Sequence, residues 1–79
     1  MIHELKLSSK YFDDVQNEIK TFEVRKNDRG YNVGDILILK EVVENDKYTG
    51  RIIKVKVTYF FSLFGLASGY CVLGVKLCA

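Results

Sequence analysis

The chain has 79 residues, of which 48% are hydrophobic and 28% charged, with a formal net charge of +2. That is enough sequence for one domain with a small core, and the composition excludes a disordered or fibrous chain. The charge is mildly basic, too weak on its own to demand a polyanionic partner.

Residues 2–7, IHELKL, place His3, Leu5 and Leu7 on one side and Glu4 and Lys6 on the other, the alternation of a first strand. SSKYFDDVQNEI, residues 8–19, reads as a helix. Ser8 or Ser9 can cap it, Asp13 and Asp14 suit an early turn, and Tyr11, Phe12, Val15 and Ile19 make one apolar stripe bound for the core. TFEVRK, residues 21–26, is a second strand, with Phe22 and Val24 on one face and Thr21, Glu23 and Arg25 on the other. NDRG and NVGD supply turns, with Gly30 and Gly34 free to take positive φ.

DILILKEVV, residues 35–43, is nearly continuous in apolar residues and reads as a strand covered on both faces. ENDKYTG, residues 44–50, is a turn leading into RIIKVKVTYFF, where Ile53, Val55, Val57 and Tyr59 are expected inside and Lys54, Lys56 and Thr58 outside. SLFGLASG, residues 62–69, forms a loop before the last strand, YCVLGVKL. Residues 57–75 carry no charge, but Gly65, Gly69 and Gly74 with the run Tyr59–Phe61 argue for strand, loop and strand rather than a membrane helix. No leader precedes the first strand, so the chain reads as cytoplasmic, with no membrane partner and monomeric by default.

About five strands following one principal early helix give an α+β domain spanning residues 1–79, with a small curved sheet or partial barrel. Cys71 and Cys78 lie seven positions apart, about 23 Å along a strand, beyond disulfide reach and therefore reduced. No spacing suits a metal, and no cofactor is implied.

The densest chemistry is in KTFEVRKNDRGYNVGD, which holds four of the 12 lysines and arginines. Glu23 and Arg25 leave one face of a strand about 6.6 Å apart, and Lys20 sits at the junction from the helix. The three can converge on a recess. There the cations suit a phosphate or a carbonyl, and the carboxylate suits a nucleobase amine, a structural pairing with Arg25, or proton transfer. A surface ion pair is the plain alternative. In this reading the ribbon turns its other side to the interior.

EIKTFEVR resembles the signature of the ASCH domain of the PUA-like superfamily: glycine, any residue, lysine, two residues, glutamate, any residue, arginine. Lys20, Glu23 and Arg25 match it, while Glu18 stands where the pattern has glycine. HELKL, YFDDV, LILKE, YTGR and GYCVLGVK extend the likeness to a small ASCH-like family of unknown function, frequent in bacteriophages and their hosts. The resemblance implies a small PUA/ASCH-like β-barrel with a helix at its rim, a cleft beside them, and RNA or a modified nucleoside as ligand. Some ASCH relatives are similar to amidohydrolases acting on a modified cytidine. Glu23 occupies the position of their threonine nucleophile, and their later carboxylate has only Glu41 and Glu44 as candidates by type.

Three functions follow. In the first, the domain binds RNA or a nucleoside through Lys20, Glu23, Arg25, Lys26 and Arg29, with Lys54 and Lys56 on phosphates and Tyr31, Tyr48 and Phe64 stacking on bases. In the second, an enzyme uses Lys20 to polarise and Glu23 as acid and base, with His3 joining the cleft. In the third, a phage-encoded interaction module presents the aromatic stretch from Phe60 to Phe64.

Overall fold

In the computed structural model, which describes residues 1–62 and 69–78, the strands are β1 (Ile2–Ser8), β2 (Phe22–Lys26), β3 (Ile36–Val43), β4 (Lys47–Ser62) and β5 (Tyr70–Leu77). One helix, α1 (Ser9–Gln16), follows β1, and a single 3-10 turn, Glu44–Asp46, precedes β4. The sheet runs β1-β3-β4-β5-β2, with β1 parallel to β3 and every other neighbour antiparallel. It curls into a half-barrel whose inner face carries the core, and α1 packs against β1 and β3.

The alternation on β1 is realised in full: His3, Leu5 and Leu7 are buried and the residues between them exposed. Leu37 and Leu39 of β3, Ile53, Val55 and Val57 of β4, and Cys71, Leu73 and Val75 of β5 complete the inner face. Phe12 and Val15 seal it from α1. Cys71 and Cys78 are both free thiols.

The helix is shorter than its apolar stripe suggests. Ser8 caps it, its Oγ accepting from the Lys10 amide at 3.2 Å. At the other end Asn17 closes the helix and Glu18 takes a left-handed backbone, φ 59°. The Glu18 amide donates to the Val15 carbonyl and the Ile19 amide to the Asp14 carbonyl, the paired bonds of a Schellman stop. The chain therefore leaves the helix before Ile19, which is 73% exposed and outside the core. Tyr11 is half-exposed as well, and the helix's first turn holds no acid, so Asp13 and Asp14 sit too late to meet the dipole as expected.

Two irregularities reshape β4. Opposite Val57 the ladder is regular, Val57 facing Val75, but Tyr59 then faces Gly74, so Thr58 is an extra residue. The bulge reverses the alternation. Tyr59, expected inside, is 66% exposed, and Phe60 packs against the core instead. Gly74 is needed there: a Cβ would lie 3.0 Å from Tyr59 Cβ and 3.1 Å from Thr58 Oγ1. At the other end, residues 47–50 belong to β4 rather than to the turn. Between the pairs Lys40–Ile52 and Val42–Tyr48 the single residue Glu41 stands opposite three, Thr49, Gly50 and Arg51. Among the described residues no helix is long and apolar enough to cross a membrane. The loop expected over 62–69 lies, from 63 to 68, outside the described residues.

Candidate ligand-binding recess

The Schellman stop sets the site. By turning the chain after α1 it delivers Lys20, whose amide also donates to the Asp14 carbonyl at 2.9 Å, to the mouth of a recess beside β2. The expected polarity of β2 is reversed. Glu23, on the side assigned to the ionisable groups, is 2% exposed, whereas Phe22 and Val24 are 45% and 50% exposed. The charged face of the ribbon is its buried face.

Burial of Glu23 is tolerated because both carboxylate oxygens are engaged by cations. Lys20 Nζ donates to Oε2 at 2.9 Å. Arg25 donates to Oε1 through Nη2 at 2.8 Å and through Nε at 3.2 Å. Three of roughly four acceptor positions are thus filled, leaving one open. Lys20 Nζ also lies 4.5 Å from the Tyr11 ring centroid and 5.2 Å from that of Phe22, so two aromatic faces flank the ammonium. The three side chains converge, as the spacing allowed.

The recess exists because the half-barrel does not close. β1 and β2 are its two edges. Arg25 Nη2 crosses the gap to the Lys6 carbonyl at 2.7 Å, and Arg29 Nη1 reaches the Glu4 carbonyl at 3.2 Å. Guanidinium groups take the place of strand pairing along this seam. On one side of Arg25 is a cleft of about 530 Å³ lined by Lys6, Tyr11, Lys20, Glu23 and Arg25. On the other, an adjoining groove of about 590 Å³ runs past Arg29, Lys40 and Tyr48, again bounded by Lys6 and Arg25. Both lie in the size range of small-molecule sites.

The remaining sequence candidates separate. Lys26 ends β2 and Arg29 follows it; Arg29 borders the adjoining groove, and both line a smaller hollow beside it with Leu5, Arg25 and Tyr31. Tyr48 is 59% exposed and borders the adjoining groove, although from β4 rather than a loop. Lys54 and Lys56 are exposed on the outer face of β4 and line neither cavity. Phe64 lies outside the described residues, as does part of the aromatic stretch expected to meet a protein partner.

Tyr31 is 5% exposed and meets the His3 ring edge-on at 4.9 Å, so its face is not offered to a base. Burial pushes its hydroxyl pKa up. His3 does not join the cleft. Its Nε2 hydrogen-bonds Asp35 Oδ2 at 2.9 Å, and the Met1 amine donates to Asp35 Oδ1 at 3.1 Å. The histidine bond, then the Asn32 amide, hold the Asp35 carboxyl down at about 2.

Glu41 is a third buried carboxylate, 3% exposed. Arg51 grips it through Nη2 at 2.7 Å and Nε at 2.9 Å, and Thr49 donates at 2.6 Å, holding its pKa below the ordinary value. The opened ladder allows this, since Thr49 and Arg51 both stand opposite Glu41. Neither Glu41 nor the exposed Glu44 lines the recess. Lys6, Tyr11, Thr49 and Arg51 escaped the sequence reading. The one available signal was Glu41 itself, on the buried parity of an apolar strand and so in need of a cation. Among the described residues, no three His, Cys, Asp or Glu side chains are grouped to hold a metal.

The chain is 49% identical over 57 residues to an uncharacterised 12.9 kDa protein, encoded in the GpA 3′ region, of Escherichia phage P2. The match covers 72% of this chain and 51% of the phage protein, so the chain spans about half the length of that relative. Comparison with protein families matches residues 2–75 to the family described as Domain of unknown function (DUF3850). Since that match runs over nearly all of the sequence, the chain belongs to this phage-associated family.

Proposed function

We propose that the domain is an ASCH-like member of the PUA-like superfamily whose open seam binds a nucleoside or one nucleotide of an RNA. The observation that carries this reading is Glu23, a buried carboxylate fixed between Lys20 and Arg25 at the floor of a cleft walled by Tyr11. The α+β half-barrel with its helix after the first strand agrees with the superfamily's architecture.

Each group has a role. The open acceptor position of Glu23 suits an exocyclic amine, which a phosphate or a simple sugar lacks. Lys20 and Arg25 are donors for a base carbonyl or a phosphate, and the guanidinium is fixed by its bonds to Glu23 and to the Lys6 carbonyl. Half-exposed Tyr11 supplies a face for stacking. Arg29 and Tyr48 continue the seam toward a neighbouring nucleotide. The amidohydrolase reading is weaker on this geometry: a clamped carboxylate, Glu23, stands where those enzymes carry a threonine nucleophile, and Glu41 lies elsewhere.

Isothermal titration of a panel of modified and unmodified nucleosides and short RNAs tests the proposal. At least one amine-bearing base is expected to bind, with Lys20→Ala and Arg25→Ala each weakening it about tenfold or more. Turnover of a bound nucleoside amide, lost in Glu23→Gln, would move the assignment to the enzyme. Absence of binding across the panel at low salt would overturn the proposal.

A further inference from the structure

The outer face of the sheet, away from the seam, holds a second arrangement. β4 and β5 together contain no Asp or Glu, but carry Lys47, Arg51, Lys54, Lys56 and Lys76. Lys56 and Lys76 are direct cross-strand partners, a like-charge pairing that costs stability. Among the described residues, neither they nor Lys54 forms an ion pair.

Beside the lysines, the bulge at Thr58 turns aromatic rings outward. Tyr59 and Phe61 are 66% and 53% exposed. Through Gly74 and Val72 of β5 they share the face with Phe22 and Val24 of β2. Gly74 lacks a side chain, which leaves the Tyr59 flank uncovered at that position. Tyr59 and Phe61 are two positions apart, about 6.6 Å, within the reach of one extended nucleotide. A sequence with a regular β4 would have turned Tyr59 inward, so the bulge builds this surface.

We infer that the outer face of β4 and β5 is a platform for single-stranded nucleic acid, with Tyr59 and Phe61 stacking on bases and Lys54, Lys56 and Lys76 neutralising phosphates. The chemistry fits this occupant on both counts. A polyanion relieves the Lys56–Lys76 repulsion, and unpaired bases present the flat apolar surfaces that exposed aromatic rings take up. A second copy of the chain would place the same unpaired lysines against each other or bury them. The platform is separate from the seam and does not depend on the nucleoside reading, although the two meet at β2, where Phe22 lies beside Lys20.

The test uses the full chain and a fluorescent oligouridylate of about ten nucleotides. Anisotropy is expected to show binding whose log affinity falls with log salt at a slope of about −2, the value for three phosphate contacts on a single strand. Lys54→Gln/Lys56→Gln/Lys76→Gln should weaken binding at least about tenfold and flatten the slope. Tyr59→Ala and Phe61→Ala should each weaken it about tenfold with the slope unchanged. Glu44→Gln, exposed and outside both surfaces, should leave it unchanged. All four sets alter exposed side chains, and amide spectra check that each variant is folded. The inference is overturned by absence of binding at low salt, or by full affinity in the triple-lysine variant. It is also overturned if Tyr59→Ala dissolves a dimer seen in sedimentation while oligonucleotide affinity is untouched, since the occupant is then a second copy.

Discussion

Replacing Glu23 with glutamine keeps the shape of the side chain and removes its charge, so it isolates what the buried carboxylate contributes. Three hydrogen bonds from cations end on it, at 2.8, 2.9 and 3.2 Å. Each charge-assisted bond is worth about 1.5–3 kcal/mol, and breaking a fully buried pair costs about 3–5 kcal/mol. Lys20 and Arg25 keep about a fifth of their side-chain surface in water, at 20% and 21%, and can rehydrate in part. A loss of about 2–4 kcal/mol follows. Against the about 4–12 kcal/mol that a domain of this length holds, this lowers Tm by about 8–32 °C. Thermal and urea denaturation followed by circular dichroism at pH 7 measure this. The exposed Glu44→Gln serves as control and should stay within about 0.5 kcal/mol of the parent. If Glu23→Gln matches that control, the carboxylate is not held as described and the recess has no fixed floor.

Glu18→Gly should raise stability by about 0.5–1 kcal/mol in urea denaturation, because glycine takes the left-handed backbone at this position without the Cβ penalty that Glu18 bears. Gly74→Ala should lower it by about 1–3 kcal/mol, since the new methyl meets Tyr59 Cβ at 3.0 Å and Thr58 Oγ1 at 3.1 Å. The acid limb of the stability profile follows Asp35 and Glu41, whose folded pKa values are both depressed. Their contribution is fully present above the ordinary carboxylate range and is lost as pH falls through about 4 toward 2. Tm should therefore fall on acidification over that window, and Asp35→Asn should flatten the slope while lowering Tm at pH 7.

The alternation in β1 was legible because one parity is apolar and the other charged, and the fold uses it as written. β2 shows the limit of that logic. Alternation tells which residues share a face but not which face is buried. Here Glu23, Lys20 and Arg25 satisfy one another well enough to enter the interior, while Phe22 and Val24 stay half in solvent. Tyr59 was misplaced for a different reason. A bulge adds one residue and inverts every later side chain, and the only trace of it in the sequence is a glycine on the partner strand. The helix end was read three residues late because Glu18, not glycine, occupies the stop. The left-handed conformation of Glu18 makes the turn before Lys20 without a glycine. The pairing of Glu41 with Thr49 and Arg51 depends on an opened ladder, which no local pattern announces.

Amide shift mapping on the isotope-labelled protein, titrated with the nucleoside panel and short RNAs, addresses the seam most directly. Shifts gathered at Lys6, Tyr11, Lys20, Glu23 and Arg25 are the expected result. Ligands that bind while these five amides stay still would contradict it, and would leave the clamped carboxylate as a purely structural device.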